Sequence, residues 1–272
     1  MQRREFLAAS AAAAIGLAAP EATRAALEVA GDNAERQLIE LRVYHFASPE
    51  KRDAFEEILS SAAIPAFNRA GVEPAGAFKL LAKDNPDLKL AADANDLYVV
   101  LPHKTVESFL GLGARMAGDF EFLQAAQAML LAPKSDPTYV RYEVSLLRAF
   151  ATFPQVQAPT KAAGRVAQLR TYESHSSERA MMKIRMFEEG GEIAIFKRVG
   201  LNPVFFGQTM AGTKMPNVTY MLAFEDEKAL KSAWDKFRAD ADWKTLQGDE
   251  TYKDAVSNIT NLVLRPVGGS QI

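Results

Sequence analysis

"ELRVY" at Glu40 to Tyr44 and "QLRTY" at Gln168 to Tyr172 decide the reading of this chain of 272 residues, because the same Leu-Arg-x-Tyr returns once in each half. A four-residue echo is weak by itself, so a duplication must bring further matches in the same order. It does. "IPAFNRAGVEP" (Ile64 to Pro74) and "IAIFKRVGLNP" (Ile193 to Pro203) share Ile, Phe, Arg, Gly and Pro at identical internal spacing. "DFEF" (Asp119 to Phe122) then faces "DADW" (Asp240 to Trp243), and "LLRAF" (Leu146 to Phe150) faces "VLRPV" (Val263 to Val267).

The shared residues have local structural reasons. Gly71 and Gly200 follow an apolar-periodic helix, where the chain needs a left-handed residue that only glycine adopts without steric cost. Pro74 and Pro203, three residues on, block re-entry into the helix. The run from Glu50 to Ala70 places Phe55, Ile58, Leu59, Ala62 and Phe67 on one side, with Pro65 predicting a kink. Gly190-Gly191 predicts a bend at the corresponding point of the second copy. Both copies read strand, helix, strand, strand, helix, short helix, strand. The strands are Gln37 to Phe46, Ala75 to Lys83, Asp96 to Leu101 and Tyr139 to Ala149, then Val166 to Ser174, Val204 to Ala211, Asn217 to Phe224 and Asn258 to Pro266. That order is βαββαβ, the ferredoxin-like unit. One unit is expected over residues 36–150 and the other over 165–267. The Pro-rich stretch 151–164, "ATFPQVQAPTKAAG", reads as a surface linker.

Composition narrows the partners. With 32 basic and 34 acidic residues the chain has no basic field for nucleic acid or anionic lipid, so neither is expected as a partner. The absence of cysteine removes disulfides, thiolate nucleophiles and thiolate-built metal sites. The first residues, "MQRREFLAASAAAAIGLAAPEATRA", differ from the rest: paired Arg3-Arg4, then an alanine-rich apolar run ending at Pro20. That run is too short to span roughly 30 Å of hydrocarbon as a helix. It resembles the twin-arginine leaders of exported bacterial proteins, which implies a signal peptide over residues 1–25, a periplasmic location and no stable membrane anchor.

The Leu-Arg-x-Tyr strand, the helix ending in Arg-x-Gly and above all "VTYMLAFEDEKALKSAWDKFRADADWKTL" (Val218 to Leu246) resemble the NIPSNAP family of the dimeric α+β barrel superfamily. The resemblance covers most of both copies and is stronger in the second. It implies an α+β fold in which two tandem ferredoxin-like units of one chain form an intramolecular pseudo-dimeric barrel, with no second chain needed for closure. It supplies no reaction and no catalytic residues.

Candidate site residues follow from strand parity. Ile39, Leu41 and Val43 form an apolar face expected to meet the helices, so Arg42 and Tyr44, with Arg170 and Tyr172, are expected inside the barrel. Glu40 is a ready partner for Arg42, whereas Gln168 leaves Arg170 without that carboxylate. A buried guanidinium costs several kcal/mol unless paired. Two readings follow: Arg170 and the tyrosines hold the anionic end of a small, partly apolar carboxylate, or they pin the two sheets together. A cavity nearer Arg170 is expected under the first. His45 and His103, each at a strand end, are expected at one rim as second-rank candidates. No metal motif and no cofactor-binding loop is present, so no metal or cofactor is expected. A cofactor-free enzyme of monooxygenase or isomerase type and an assembly module with a filled barrel are the alternatives, and further oligomerisation is compatible with each. Ser176 or Ser177 is expected to cap a helix after His175, and Met181, Met182 and Met186 to fill core.

Changing Arg3-Arg4 to Lys-Lys should hold the precursor in the cytoplasm, because the export receptor reads the guanidinium pair and not charge alone. Fractionation of cells expressing both forms checks this; equal periplasmic yield contradicts it.

Overall fold

The computed structural model describes residues 36–88 and 95–272. The leader expected over residues 1–25 lies outside the described residues. Eight strands run β1 Leu38–His45, β2 Gly76–Leu80, β3 Asp96–His103, β4 Arg141–Ala149, β5 Val166–Glu173, β6 Asn202–Ala211, β7 Asn217–Phe224 and β8 Asn258–Pro266. They close into one barrel in the order β1-β3-β2-β8-β5-β7-β6-β4, with every pairing antiparallel. Each half contributes a ferredoxin-like sheet, β4-β1-β3-β2 or β8-β5-β7-β6. The seams are β2 with β8 and β4 with β6. Closure pairs the four strand edges that two separate sheets would leave open.

The helices are α1 Pro49–Ile58, α2 Ile64–Arg69, α3 Val106–Ala117, α4 Phe120–Ala125, α5 Gln127–Leu130, α6 Ser177–Glu188, α7 Glu192–Val199, α8 Glu227–Ala239 and α9 Ala241–Gln247. The kink expected at Pro65 is a π turn, Leu59–Ala63, immediately before it. Proline has no N–H to bond the preceding turn, and the wider turn absorbs the loss. In the second copy the bend is a break, with Gly191 left-handed (φ 82°) between α6 and α7. Ser48 and Ser176 cap α1 and α6, and Thr105 and Asp226 cap α3 and α8. Repetition of the Arg and Asp motifs also has a structural cause. Asp119 caps α4 and receives Arg69 at 2.8 Å, while Asp240 caps α9 and receives Arg198 at 2.8 Å. The same pin thus ties the first helical layer to the second in both copies.

The faces are the reverse of the expected ones. Ile39, Leu41, Phe78, Leu169, Phe205 and Met221 belong to one cluster of strand residues drawn from both halves, which fills the barrel interior. Tyr44 and Phe46 instead pack with Phe55, Leu59 and Phe67 of the helical layer, and Tyr172 and Tyr220 with Ile184, Phe187 and Phe196. Arg42, Tyr44, Arg170 and Tyr172 therefore lie between sheet and helices, outside the barrel. The reason is enclosure: the inside of an eight-stranded barrel is sealed from water on all sides and takes the more apolar set. The helices cover the outer face only partly, leaving routes by which a guanidinium reaches water. The interior is packed, and the cavity expected near Arg170 lies outside the barrel for the same reason. Among the described residues no helix is long and apolar enough to cross a membrane.

Phe205 is fully buried in the interior. Phe205→Ala should lower unfolding free energy by about 3–5 kcal/mol, whereas Lys228→Ala on the exposed face of α8 should change it by no more than about 0.5 kcal/mol. Urea unfolding of the two variants checks this; a loss under about 1 kcal/mol for Phe205→Ala would mean that the interior is not packed.

Candidate functional site

The first half holds a buried chain of polar groups beneath its helices. Arg42 Nε donates to Glu40 Oε1 at 2.5 Å, the Arg42 guanidinium reaches the Tyr44 hydroxyl at 3.3 Å, and His103 Nε2 lies 2.9 Å from Glu40 Oε2. Ser108 Oγ lies 3.2 Å from the other His103 ring nitrogen. Burial pushes the Glu40 carboxyl up, but the hydrogen bonds to His103 and Arg42 outweigh it and hold it below its ordinary value. Around Tyr44 stand Phe55, Tyr142 and Tyr139, with ring centroids at 4.7, 5.1 and 5.4 Å. These rings leave a gap of about 230 Å³.

His45 and His103 do not share a rim. Because β1 and β3 are antiparallel, Leu38 pairs with His103 and His45 with Asp96, which puts the two rings at opposite ends of the sheet. Strands joined through βαβ are parallel, but β3 lies between β1 and β2 and runs against both, so the strand ends expected at one rim lie apart. His45 Nδ1 is 2.9 Å from Asp96 and Nε2 is 3.4 Å from Glu143. Among the described residues no group of three or more His, Asp or Glu side chains could hold a metal ion.

The second half places different side chains on the same scaffold. Lys183 of α6 stands where Phe55 stands in α1, each at the same distance from its N-cap serine. Ile259 pairs with Tyr172 as Tyr142 pairs with Tyr44. Where these two rings are replaced, a cleft of about 1310 Å³ lies against the outer faces of β5 and β8, bordered by helices α6 to α9 and by Asp84, Pro86 and Asp87 of the first half. Its floor is Gln168, Arg170 and Tyr172, and its apolar wall includes Met186, Trp234 and Phe237. Gln168 is fixed by two bonds, accepting from Trp234 Nε1 at 2.6 Å and donating to Asn261 at 2.8 Å. The Arg170 guanidinium carbon lies 4.7 Å from the Trp234 ring centroid and 5.4 Å from that of Tyr172, and its Nε is buried with no hydrogen-bond partner. Tyr172 and Tyr220 share a hydroxyl contact of 2.8 Å, and burial, reinforced by Tyr172, raises the Tyr220 pKa well above its ordinary value. Lys183 Nζ pairs with Glu192 Oε2 at 2.6 Å.

Sequence parity paired Arg170 with Tyr172 correctly but missed Lys183, Glu192 and Tyr220. A signal was present. Lys183 falls in the buried helical stripe Ala180, Ile184, Phe187, and the repeat sets it opposite Phe55, so a charge replaces a core ring. Trp234 does more than pack its helix, since its indole N–H fixes Gln168. Ser176 caps α6, and Met186 is core while also edging the cleft.

Residues 167–271 match the model of the NIPSNAP family. No curated protein matches the chain. Two solved structures are similar over nearly their whole length. One is a candidate monooxygenase from Fusobacterium nucleatum, at 9% identity and TM-score 0.56, covering 85% of this chain and 93% of that one. The other is a candidate monooxygenase from Lactobacillus acidophilus, at 11% identity and TM-score 0.52, covering 88% and 99%. A NIPSNAP-like domain protein from Burkholderia xenovorans is similar at 19% identity and TM-score 0.36 over 40% of this chain and 90% of its own. At these identities the two longer matches establish the fold: an α+β barrel in which one chain supplies both ferredoxin-like halves.

Glu40 ties the first-half network to pH. Its folded pKa is depressed, so its contribution is complete above its unfolded value and is lost as pH falls through the lower folded value. Glu40→Gln should destabilise the protein by about 3 kcal/mol at pH 7, because Arg42 loses its carboxylate. That penalty should shrink as pH falls through the ordinary carboxylate range, where the unfolded wild-type carboxyl protonates first, and vanish once the folded carboxyl follows at lower pH. Urea unfolding across this range checks it, and a penalty independent of pH contradicts it.

Proposed function

We propose that this chain is an exported NIPSNAP-like protein whose second half binds a small carboxylate with an apolar body in the cleft between β5, β8 and helices α6 to α9. Arg170 carries the reading. Its Nε is buried without a partner, its guanidinium lies over the Trp234 and Tyr172 rings and meets the Tyr172 and Tyr220 hydroxyls, and the carboxylate within its electrostatic reach, Glu192, is already bound to Lys183. A desolvated cation facing a cleft is offset by an anion, and a carboxylate matches the fork of guanidinium donors. The aromatic wall beside it suits an apolar or aromatic body. The paired Arg3-Arg4 and the alanine-rich run after it support export, and the family model over residues 167–271 supports the affinity with NIPSNAP proteins. The first half, with its aromatic rings closed around Tyr44 and its arginine already paired, is the structural partner of the binding half.

Two variants separate these roles. Arg170→Met should fold with equal or higher stability, since a desolvated charge is removed, and should lose affinity for phenylacetate by about tenfold or more. Arg42→Met should lose about 3–5 kcal/mol of stability, because Glu40 is left buried without its cation, and should keep binding. Calorimetric titration and thermal unfolding read both. If the wild-type protein binds none of phenylacetate, benzoate and hexanoate at about 1 mM, the reading fails.

A further inference from the structure

The Lys183–Glu192 pair is not required by the barrel. Its side chains are 5% and 2% exposed, yet the first half builds the same layer with Phe55 and, before the shared Ile of the next helix, Ala63. A buried ion pair adds little stability over a packed apolar pair of similar volume, so its place on the cleft wall calls for a chemical account. The surroundings supply one. Lys183 Nζ lies 4.2 Å from the Phe187 ring centroid, 5.3 Å from that of Tyr172 and 3.3 Å from Met186 Sδ. Arg170 stands over the same Tyr172 ring at 5.4 Å, so two cations flank one aromatic side chain. A lysine enclosed by rings, with a carboxylate in hydrogen-bond reach of its amine, has the parts of a nucleophile and its proton carrier. Burial also raises the Glu192 carboxyl, against the opposing pull of Lys183 and Arg170, and the 2.6 Å contact sets that carboxyl where it can take or return a proton at Nζ.

We propose that Lys183 forms a Schiff base with oxo acids whose carbonyl stands next to the carboxylate, with Arg170 holding the carboxylate and Glu192 carrying the proton. The proposal rests on the carboxylate site described above. Glu192 takes one proton from the Lys183 ammonium, and the neutral amine attacks the carbonyl carbon. A C–N bond forms as the carbonyl π pair moves to oxygen, and transfer of a proton from nitrogen to that oxygen gives the carbinolamine. Protonated Glu192 then gives its proton to the hydroxyl, water leaves, and the nitrogen lone pair forms the C=N bond. The products are a protonated imine, one water and Glu192 as the carboxylate, with no oxidant or reductant consumed. Lys183 and Arg170 both line the cleft and both lie near the Tyr172 ring, so one small ligand has the amine and the guanidinium in its surroundings.

The test is reductive trapping on the full chain, with phenylpyruvate as probe and sodium cyanoborohydride as hydride donor. The expected result is a single adduct, heavier than the protein by the mass of the acid less one oxygen atom, placed on Lys183 by peptide mapping of the wild-type protein. Lys183→Arg should fall to the level of the control without hydride donor, and Arg170→Met should be labelled more slowly. A parallel calorimetric titration uses phenylacetate, which has no ketone. Binding of phenylacetate with no adduct on Lys183 overturns the Schiff base and leaves the carboxylate site standing. Absence of both overturns both. Adducts spread over other lysines, and unchanged in Lys183→Arg, also overturn the Schiff base.

Discussion

Alternation of side chains across a closed sheet is the constraint on which this structure depends. Eight strands returning to their start enclose a space that water does not reach, and every second residue must help to fill it. Ile39, Leu41, Phe78, Leu169, Phe205 and Met221 do so. The remaining residues of each strand face the helices, and in that layer Glu40, His103, Lys183 and Glu192 are buried. Once the interior is assigned to packing, any site must lie between a sheet and its helical cover.

Duplication then supplies two such layers, and substitution makes them different. The first keeps rings at Phe55, Tyr139 and Tyr142 and neutralises Arg42 with Glu40, which His103 also contacts, in one connected network. The second exchanges Phe55 for Lys183, Tyr142 for Ile259 and Glu40 for Gln168, which opens a cleft and removes a carboxylate from beside its arginine. Satisfied polar networks stabilise a structure, and unsatisfied ones are retained for another reason. One half thus provides half of the barrel wall and a rigid core, and frees the other half to depart from good packing.

Much of the architecture was legible in the sequence because it is written twice. The βαββαβ order, the left-handed glycines Gly71 and Gly200, and the full extents of β7 and β8 follow from repeated motifs and local turn chemistry. The assignment of faces was not legible. In an α+β barrel both faces of a strand are buried: Ile39 points inward and Tyr44 outward, and both are shielded from water. A period of two separates the faces without naming the inner one. The placing of His45 and His103 failed on strand direction, which is a property of topology and not of any residue. Lys183 and Glu192 were hidden by an ordinary helical pattern, and only comparison with Phe55 and Ala63 of the other copy exposes them.

The site lies outside the barrel, with Gln168, Arg170 and Tyr172 of the second half as its floor. A crystal structure of the protein grown with phenylacetate tests this most directly. The ligand is expected against the outer face of β5 and β8, its carboxylate on Arg170 and its ring against Trp234. Density for it among Leu169, Phe205 and Met221 inside the barrel, or beside Arg42 in the first half, would contradict the account.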